Sequence, residues 1–197
     1  MSRRKLRVVK PEIRVLGVDD SPFVFRSKTQ TLVVGVVFRG GNWLDGVMST
    51  HITVDGDDAT SNICNMIKSS SHYRQLGVVM LNGLTLAGFN VVDIKAINVE
   101  TNLPVLAVTD RKPDLLKVQS ALENLPHGIE KWKIIANSGE IFSVVTKTGS
   151  LPLYVETAGI EREQTVEVLR LTSNRSRLPE PLRVAHLVAS GISLYNT

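Results

Sequence analysis

The segment Thr31–Phe38, TLVVGVVF, limits the possible folds more than any other part of the chain. Its residues are apolar at successive positions, so an extended segment here is apolar on both faces. Such a pattern is typical of a central strand whose sheet is covered by helices on both sides. The apolar run Leu32–Phe38 has seven residues, far fewer than the roughly 18 that a membrane span requires. The segment therefore predicts an α/β sheet and no membrane association.

Strand-like segments on either side of this run predict an antiparallel meander. Ile13–Asp19 is rich in β-branched residues, and Val47–Val54 lies within a further extended segment. A Ser-Pro dipeptide at 21–22 and a Gly-Gly dipeptide at 40–41 separate the three strands, as expected for tight connections. The first third of the chain is therefore interpreted as three antiparallel strands.

The pattern changes to alternating helices and strands after residue 57. An amphipathic helix follows Asp57 or Asp58, and Asp114–Leu125 has apolar residues at helical spacing. Ala87–Asn98 is compatible with a helix, although its valines also suit a strand. The other predicted elements are strands at Leu76–Leu81, Pro104–Val108, Trp132–Ala136 and Leu153–Thr157, and helices at Glu161–Leu171 and Pro181–Leu194. This order predicts a mixed α/β sheet with helices on both faces, which is the order of elements in ribonuclease H-like folds.

The charge distribution predicts a basic arm before the domain. The 197 residues include 23 lysines and arginines against 19 aspartates and glutamates, and Arg3, Arg4 and Lys5 lie in an acid-free start. We expect residues 1–10 to form this arm and residues 11–197 to form a single domain. The arm is open to two interpretations, because it can attract phosphate backbones without reading sequence or simply serve as a solvated tail.

The single cysteine and the lack of common motifs restrict the compartment and the functional classes to which the protein can belong. Cys64 is the single cysteine, so no internal disulfide forms, and the chain suits a reducing compartment. No hydrophobic segment follows the basic start as in a secretory signal, and a cytoplasmic protein is expected. We expect Cys64 to be buried and to pack in the hydrophobic core. The sequence contains no P-loop, GxGxxG, CxxC or GxSxG pattern, which argues against the common nucleotide-binding, redox and serine-hydrolase classes.

Acidic residues end two of the predicted antiparallel strands. Asp19 ends the first strand, and Asp55 follows the third with Asp57 and Asp58 close behind. In a meander the end of the third strand approaches the end of the first, so Asp55 and Asp19 can converge on a divalent cation. The alternatives are that Asp19 closes a turn and that Asp57 and Asp58 cap a helix.

Two further polar positions are candidates for the same site. Asn82 follows the predicted strand Leu76–Leu81 and can offer a neutral oxygen to a metal, although an Asn-Gly turn also explains it. Arg183 and His186 lie three residues apart on the last predicted helix. His186 is either a metal ligand beside these carboxylates or an ordinary surface or core histidine.

Four sequence motifs together resemble a known family. They are GVDDS at 17–21, VDG at 54–56, NG at 82–83 with AGFN at 87–90, and PEPLRVAH at 179–186. In this order they resemble an uncharacterised, mainly archaeal family called domain of unknown function 99, a distant relative of endonuclease V. The resemblance covers nearly the whole chain and implies an endonuclease V-like, ribonuclease H-like fold.

The resemblance also implies roles for individual residues. Endonuclease V uses Mg²⁺ or Mn²⁺ to nick nucleic acid near deaminated bases such as inosine. Asp19 matches its first-strand catalytic aspartate, and Asp55 lies near its next acidic residue, with an alignment that can slip to Asp57. Asn82 stands where the enzyme has an aspartate, and His186 belongs to the closing helix that approaches the metal.

Two departures separate this chain from endonuclease V proper. Asn82 removes one negative charge from the expected metal site, and Thr50–Asp55, THITVD, lacks the Pro-Tyr-Ile-Pro wedge that separates strands at a lesion. Arg111 or Lys112 takes the place of a phosphate-facing lysine. Recognition of inosine therefore does not follow from the resemblance.

The sequence leaves three functional hypotheses open. The first is a metal-dependent endonuclease acting on DNA or RNA, in which Asp19, Asp55, Asn82 and His186 bind Mg²⁺ or Mn²⁺ and carry the chemistry. Its nucleic-acid contacts would be Arg183, Arg111, Lys112, Arg3, Arg4 and Lys5. The second is a non-catalytic nucleic-acid-binding protein on the same fold with an incomplete metal site, and the third is an enzyme acting on a small phosphorylated substrate.

Overall fold

The computed structural model of the chain describes residue 6 and residues 8–193, so Arg3, Arg4 and Lys5 of the predicted basic arm lie outside the described residues. Seven of the strands form one sheet with the order β3-β2-β1-β4-β7-β9-β8. These strands are β1 (Arg14–Asp20), β2 (Gln30–Arg39), β3 (Trp43–Thr53), β4 (Leu76–Leu81), β7 (Val105–Thr109), β8 (Phe142–Val144) and β9 (Leu153–Ala158). Two short strands, β5 (Thr85–Leu86) and β6 (Asn90–Val91), pair separately as a hairpin.

The sheet is mixed because its first three strands are antiparallel and its centre is parallel. β2 pairs antiparallel with both β1 and β3, whereas β4 runs parallel to β1 and β7 parallel to β4. The strands β1, β4 and β7 therefore end at the same side of the sheet, which we call the carboxyl edge. In open α/β sheets, this edge is where functional residues gather.

Six α-helices and a short 3₁₀ helix at Tyr73–Gln75 complete the described fold. The α-helices are α1 (Ala59–Ser69), α2 (Ile94–Thr101), α3 (Leu115–Leu122), α4 (Gly128–Ala136), α5 (Arg162–Thr172) and α6 (Glu180–Ser193). No helix among the described residues is long and apolar enough to cross a membrane.

The two faces of the sheet belong to different hydrophobic clusters because successive strand residues point in opposite directions. Leu16 and Val18 of β1 share a cluster with α1 and α2, whereas Val15 shares one with α5. Val34 and Val36 of β2 pack with alanines of α6. Burial of each such side chain contributes about 1.5–3 kcal/mol to stability. The prediction of a central strand covered on both faces is confirmed.

A glycine brings α6 unusually close to the sheet. A Cβ atom placed on Gly17 would lie 2.3 Å from both the carbonyl carbon and the oxygen of Pro181. Only a residue without a side chain permits this approach. The first turn of α6 therefore rests directly on β1, and the helix continues toward the carboxyl edge.

Two predicted elements differ from the structure. Trp132–Ala136 was expected to be a strand but lies in α4, where Lys131 and Ile135 are both buried at a spacing of four. Ala87–Asn98 is not one helix, because β6 lies in its first half and α2 begins only at Ile94. Asp93 fixes that start by accepting hydrogen bonds from the backbone N–H groups of Lys95 and Ala96.

Candidate active site

Asp19 connects three separate parts of the chain at the carboxyl edge. Its side chain is nearly buried, at 2% exposure. Its Oδ1 accepts hydrogen bonds from the Nδ2 of Asn82 at 3.1 Å and from the backbone N–H of Asp20 at 3.0 Å. Its Oδ2 lies 2.9 Å from the Nδ1 of His186. The structure thus brings together three of the predicted site residues, from the ends of β1 and β4 and from α6.

The close approach of α6 explains why His186 reaches Asp19. Gly17 and Asp19 lie on the same face of β1, since they are two residues apart. Pro181 rests on Gly17, and the helix then rises along the strand and presents His186 to the next residue on that face. The Gly-Val-Asp motif and the closing helix are therefore parts of one arrangement.

The pairing with Asp19 orients the imidazole of His186. Because the carboxylate oxygen accepts, the Nδ1 of His186 donates and carries a proton. The histidine side chain is 62% exposed, so its Nε2 is available to other molecules. An imidazole held by a carboxylate at one nitrogen and free at the other is suited to proton transfer.

Asp20 occupies the opposite face of the sheet from Asp19. Its Oδ2 accepts a hydrogen bond from the backbone N–H of Ala87 at 2.8 Å. Burial raises the pKa of Asp20 to about 6, and the neighbouring charge of Asp19 acts in the same direction, against the effect of the Ala87 hydrogen bond. Asp20 was not predicted as a site residue. Consecutive aspartates at a strand end are the signal for it, because alternation directs one to each face.

Asp55 is held by the loop 87–89 rather than by direct hydrogen bonds to Asp19. Its backbone N–H donates to the carbonyl of Ala87, and its Oδ1 accepts from the N–H of Phe89, both at 2.9 Å. A Cβ atom on Gly88 would lie 2.3 Å from that Oδ1, so this position requires glycine. Since Ala87 also binds Asp20, one loop joins both acidic residues.

The neighbours of Asp55 have structural roles. The buried Lys131 donates hydrogen bonds to the carbonyls of Asp55 and Gly56 at 2.8 and 2.9 Å. Asp57 lies 2.7 Å from the Nδ1 of His127 and 3.3 Å from the Nζ of Lys131. These contacts fix the turn after β3. The sequence did not indicate Lys131, which immediately precedes the segment Trp132–Ala136 that was interpreted as a strand.

Asp58 closes the same turn and does not cap α1 through its side chain. Its carboxylate accepts hydrogen bonds from the backbone N–H and the hydroxyl of Thr53, and no hydrogen bond joins it to the N–H groups of α1. The Nδ2 of Asn90 donates to the same carboxylate at 2.6 Å. Asp58 is the N-cap residue of α1, as one of the two expected positions, but the expected capping by its side chain is corrected because that side chain binds Thr53 and Asn90 instead.

The predicted basic contacts lie at two ends of the sheet. Arg111 and Lys112 are exposed and follow β7, so they lie at the carboxyl edge. Arg183 instead forms a two-pronged ion pair with Glu180, with distances from 2.6 to 3.1 Å. It also lines a cleft with Asn42, which lies in the β2–β3 turn at the opposite end from Asp19. Arg183 is thus occupied in holding the start of α6.

Comparison with known proteins supports a common fold. A solved protein of unknown function from Archaeoglobus fulgidus matches with a TM-score of 0.82 and 38% identity, covering 91% of this chain and 98% of that one. Endonuclease V from Bacillus subtilis matches with a TM-score of 0.65 at 11% identity, over 98% and 86% of the two chains. Endonuclease V from Ciona intestinalis, solved with an inosine-containing DNA, gives 0.57 at 14% identity over 93% and 87%. The expected endonuclease V-like, ribonuclease H-like fold is confirmed.

Sequence comparison is more specific. A UPF0215 protein from Methanosarcina mazei is 50% identical over 186 residues, which is 94% of this chain and 93% of that protein. The family model described as Endonuclease dU matches residues 11–193. The predicted relationship to an archaeal family akin to endonuclease V is therefore confirmed, and the chain belongs to the Endonuclease dU family.

Proposed function

We propose that this protein is a metal-dependent endonuclease that hydrolyses phosphodiester bonds in DNA or RNA. The observation that carries the proposal is the junction at Asp19, where a buried carboxylate holds both an exposed imidazole and an amide at the carboxyl edge. The fold shared with endonuclease V and the family's name agree with this assignment.

The side chains at this junction fit a divalent cation. Asp19 supplies carboxylate oxygen and Asn82 an amide oxygen once its side chain turns, and His186 either binds the ion through Nε2 or keeps that nitrogen free for proton transfer. No group of three or more His, Cys, Asp or Glu side chains suited to a metal exists in the described part of the chain, so the set depends on Asn82. With one formal charge, it suits an ion such as Mg²⁺ or Mn²⁺ that retains several waters. Such an ion would stabilise negative charge on a phosphodiester and acidify bound water.

The chain's own residues would position the reacting groups. Asp19 orients the imidazole of His186, whose Nε2, when it does not bind the ion, takes a proton from the attacking water or returns one to the leaving oxygen. Until its side chain turns toward an ion, Asn82 holds the other oxygen of Asp19 and keeps the carboxylate in place. We propose Asp55 as the second acidic residue of the site, joined to Asp20 through the loop 87–89.

Nucleic acid is the proposed partner. The Ciona relative of this fold was solved in complex with DNA that contains an inosine. Here, Arg111 and Lys112 place two positive charges at the same edge as Asp19, where they can contact phosphates. The basic arm, with Arg3, Arg4 and Lys5, would add affinity without sequence preference.

A nicking assay tests the proposal. Purified protein would be incubated with Mn²⁺ or Mg²⁺ and with single- or double-stranded oligonucleotides carrying inosine, uracil or no lesion. We expect metal-dependent cutting that Asp19→Ala abolishes and His186→Ala reduces by about 10²–10⁴-fold, the range of general acid–base catalysis. Undiminished cutting by Asp19→Ala would show that the site lies elsewhere.

One observation favours a second candidate function, a non-catalytic nucleic-acid-binding protein. Asn82 donates an amide hydrogen to Asp19, so this carboxylate already has a hydrogen-bond partner. An aspartate at position 82 would instead place a second negative charge there, and the two charges would require a cation. For a protein that only binds nucleic acid, binding would weaken steeply with salt whether or not a metal is present, and no cutting would occur.

A further inference from the structure

A cavity of about 730 Å³ lies next to Asp55, outside the junction at Asp19. Its walls come from the β1–β2 loop, with Phe25, Arg26 and Lys28, and from the end of α3 and the segment after it, residues 121–126. Phe89 and Asp55 complete the lining. Its size is within the range of small-molecule sites, roughly 300–1,000 Å³.

The cavity presents an aromatic ring that the core does not use. Phe25 is 74% exposed and contacts Phe23 edge-on, with ring centroids 5.0 Å apart and an interplanar angle of 66°. Phe23 itself packs against the main hydrophobic cluster. The inner ring therefore anchors the outer one, which offers most of its surface to another flat group.

The charged residues of the cavity suit a nucleotide. Arg26 and Lys28 place two positive charges beside the exposed ring, as required for a phosphate backbone that passes the cavity. The Asp55 carboxylate in the lining can accept a hydrogen bond from an N–H group on a base edge. The loop 87–89 connects Asp55 with Asp20, which places the cavity close to the candidate active site.

The backbone of the cavity is strained at several of these positions. Arg26, Lys28 and Asp55 have left-handed φ angles of 61°, 52° and 55°. They account for half of the six non-glycine residues with positive φ in the described ranges. Each such residue carries a strain that glycine would avoid. The loop thus retains basic side chains at positions where glycine would be less strained.

From these observations we infer that the cavity between the β1–β2 loop and residues 121–126 binds a single unstacked nucleobase, which stacks on Phe25 while its flanking phosphates contact Arg26 and Lys28. The inference rests on the proposed action on nucleic acid. It adds the cavity to the nucleic-acid-binding surface, beside the candidate active site. Base–aromatic stacking of this kind serves single-stranded or locally opened nucleic acid.

Binding of a fluorescein-labelled single-stranded oligonucleotide, measured by anisotropy in EDTA, tests the inference without any cutting. The variants are Phe25→Ala, Phe25→Tyr and Val24→Ala, the last a matched control because Val24 is also 74% exposed. We expect Phe25→Ala to weaken binding about 5- to 150-fold, as loss of one stacked base does. Phe25→Tyr should retain affinity, and Val24→Ala should match the wild type.

A second readout is specific for stacking. An oligonucleotide with 2-aminopurine at one position should change its emission on binding wild-type protein but not Phe25→Ala. If the wild type binds the oligonucleotide and Phe25→Ala shows the same affinity and the same change in emission, the inference is overturned but the proposed function is not. If the wild type bound no oligonucleotide at all, both the inference and the proposed function would fall. Circular dichroism of each variant checks that the exposed substitution leaves the fold intact.

Discussion

Asp19 and Asp20 are adjacent in sequence but belong to different environments. Asp19 lies on the α6 side of the sheet, where it binds Asn82 and His186, and Asp20 lies on the other side, against Ala87. The sequence predicted that Asp19 ends a strand, that Asn82 follows another strand and that the closing helix carries His186. It did not predict which oxygen binds which group, because that depends on how closely α6 approaches β1.

The raised pKa of Asp20 predicts a pH-dependent stability. Its pKa is about 6 in the folded protein against 3.8 ordinarily, so the folded state binds more protons between these values. The free energy of unfolding should therefore fall as pH rises from about 4 to about 6, by up to about 3 kcal/mol, and then level off. Asp20→Asn keeps an acceptor for the Ala87 N–H and should flatten this decline. Urea unfolding at pH 4, 5, 6 and 7 measures it, and identical profiles for both proteins would contradict the assignment.

Substitution of Asn82 tests the proposed cation site. Asn82→Asp replaces an amide donor with a second carboxylate beside Asp19, and two such charges repel unless a cation lies between them. Without metal, we expect a melting temperature lower by about 2–8 °C for a loss of roughly 1–2 kcal/mol. Added Mn²⁺ should restore the melting temperature of Asn82→Asp. The increase should be larger than the increase that Mn²⁺ causes in the wild type.

Asn82→Ala serves as the control for that experiment. It loses the same hydrogen bond to Asp19 without adding charge, so its melting temperature should fall without any gain in response to Mn²⁺. Equal metal responses in Asn82→Asp and Asn82→Ala would count against a cation at this junction.

The helix α6 is the element on which the junction depends, and Gly17 determines its position. Gly17→Ala places a methyl group 2.3 Å from the backbone of Pro181, so the helix must shift. We expect a loss of about 1–3 kcal/mol, the usual cost of overpacking, together with weaker nicking because His186 moves from Asp19. Thermal unfolding and the nicking assay measure the two effects.

Gly191 provides a matched control in the same helix. A Cβ atom there meets nothing within 4 Å, and alanine is the better helix former by up to about 1 kcal/mol. Gly191→Ala should therefore be neutral or stabilising. A similar loss in both variants would mean that the close contact at Gly17 is unimportant.

The elements that the sequence predicted poorly are those whose local pattern is ambiguous. The segment around Ile134 and Ile135 has the β-branched residues of a strand, yet it is helical because Lys131 and Ile135 are buried one turn apart. The hairpin of β5 and β6 was missed because each strand has only two residues. Long apolar strands and amphipathic helices were predicted correctly because burial and periodicity agree there.

The Phe25 cavity was also beyond the sequence analysis. Its walls, the β1–β2 loop and residues 121–126, are almost a hundred positions apart and meet only in the folded chain. Two phenylalanines followed by Arg26 and Lys28 were the available local signal. By contrast, three of the four motifs that the family resemblance rests on lie at or just after strand ends, where topology brings them to one edge, and the fourth forms the start of α6.

At the scale of the whole molecule, the modest net charge of +4 makes the position of each basic residue important. Exchange of both Arg111 and Lys112 for glutamine should lower the slope of log affinity for an oligonucleotide against log salt by about 1.5, since each phosphate contact contributes roughly 0.7–0.9. Titration of wild type and variant from low to high NaCl measures this. An unchanged slope would place the phosphate contacts elsewhere.

The basic arm offers a comparison for the same titration. Exchange of Arg3, Arg4 and Lys5 for glutamine should lower the slope by about 2 if all three contact phosphates. If the arm is only a solvated tail, the slope will match that of the wild type.

The distance in sequence between the partners of Asp19 has a consequence for synthesis. Asn82 lies 63 positions and His186 lies 167 positions after Asp19. A chain made from its amino terminus can form the strand that carries Asp19 early, but the imidazole belongs to the last described helix. The proposed centre is therefore incomplete until α6 has been synthesised, so a nascent chain that lacks α6 would not cut nucleic acids near the ribosome.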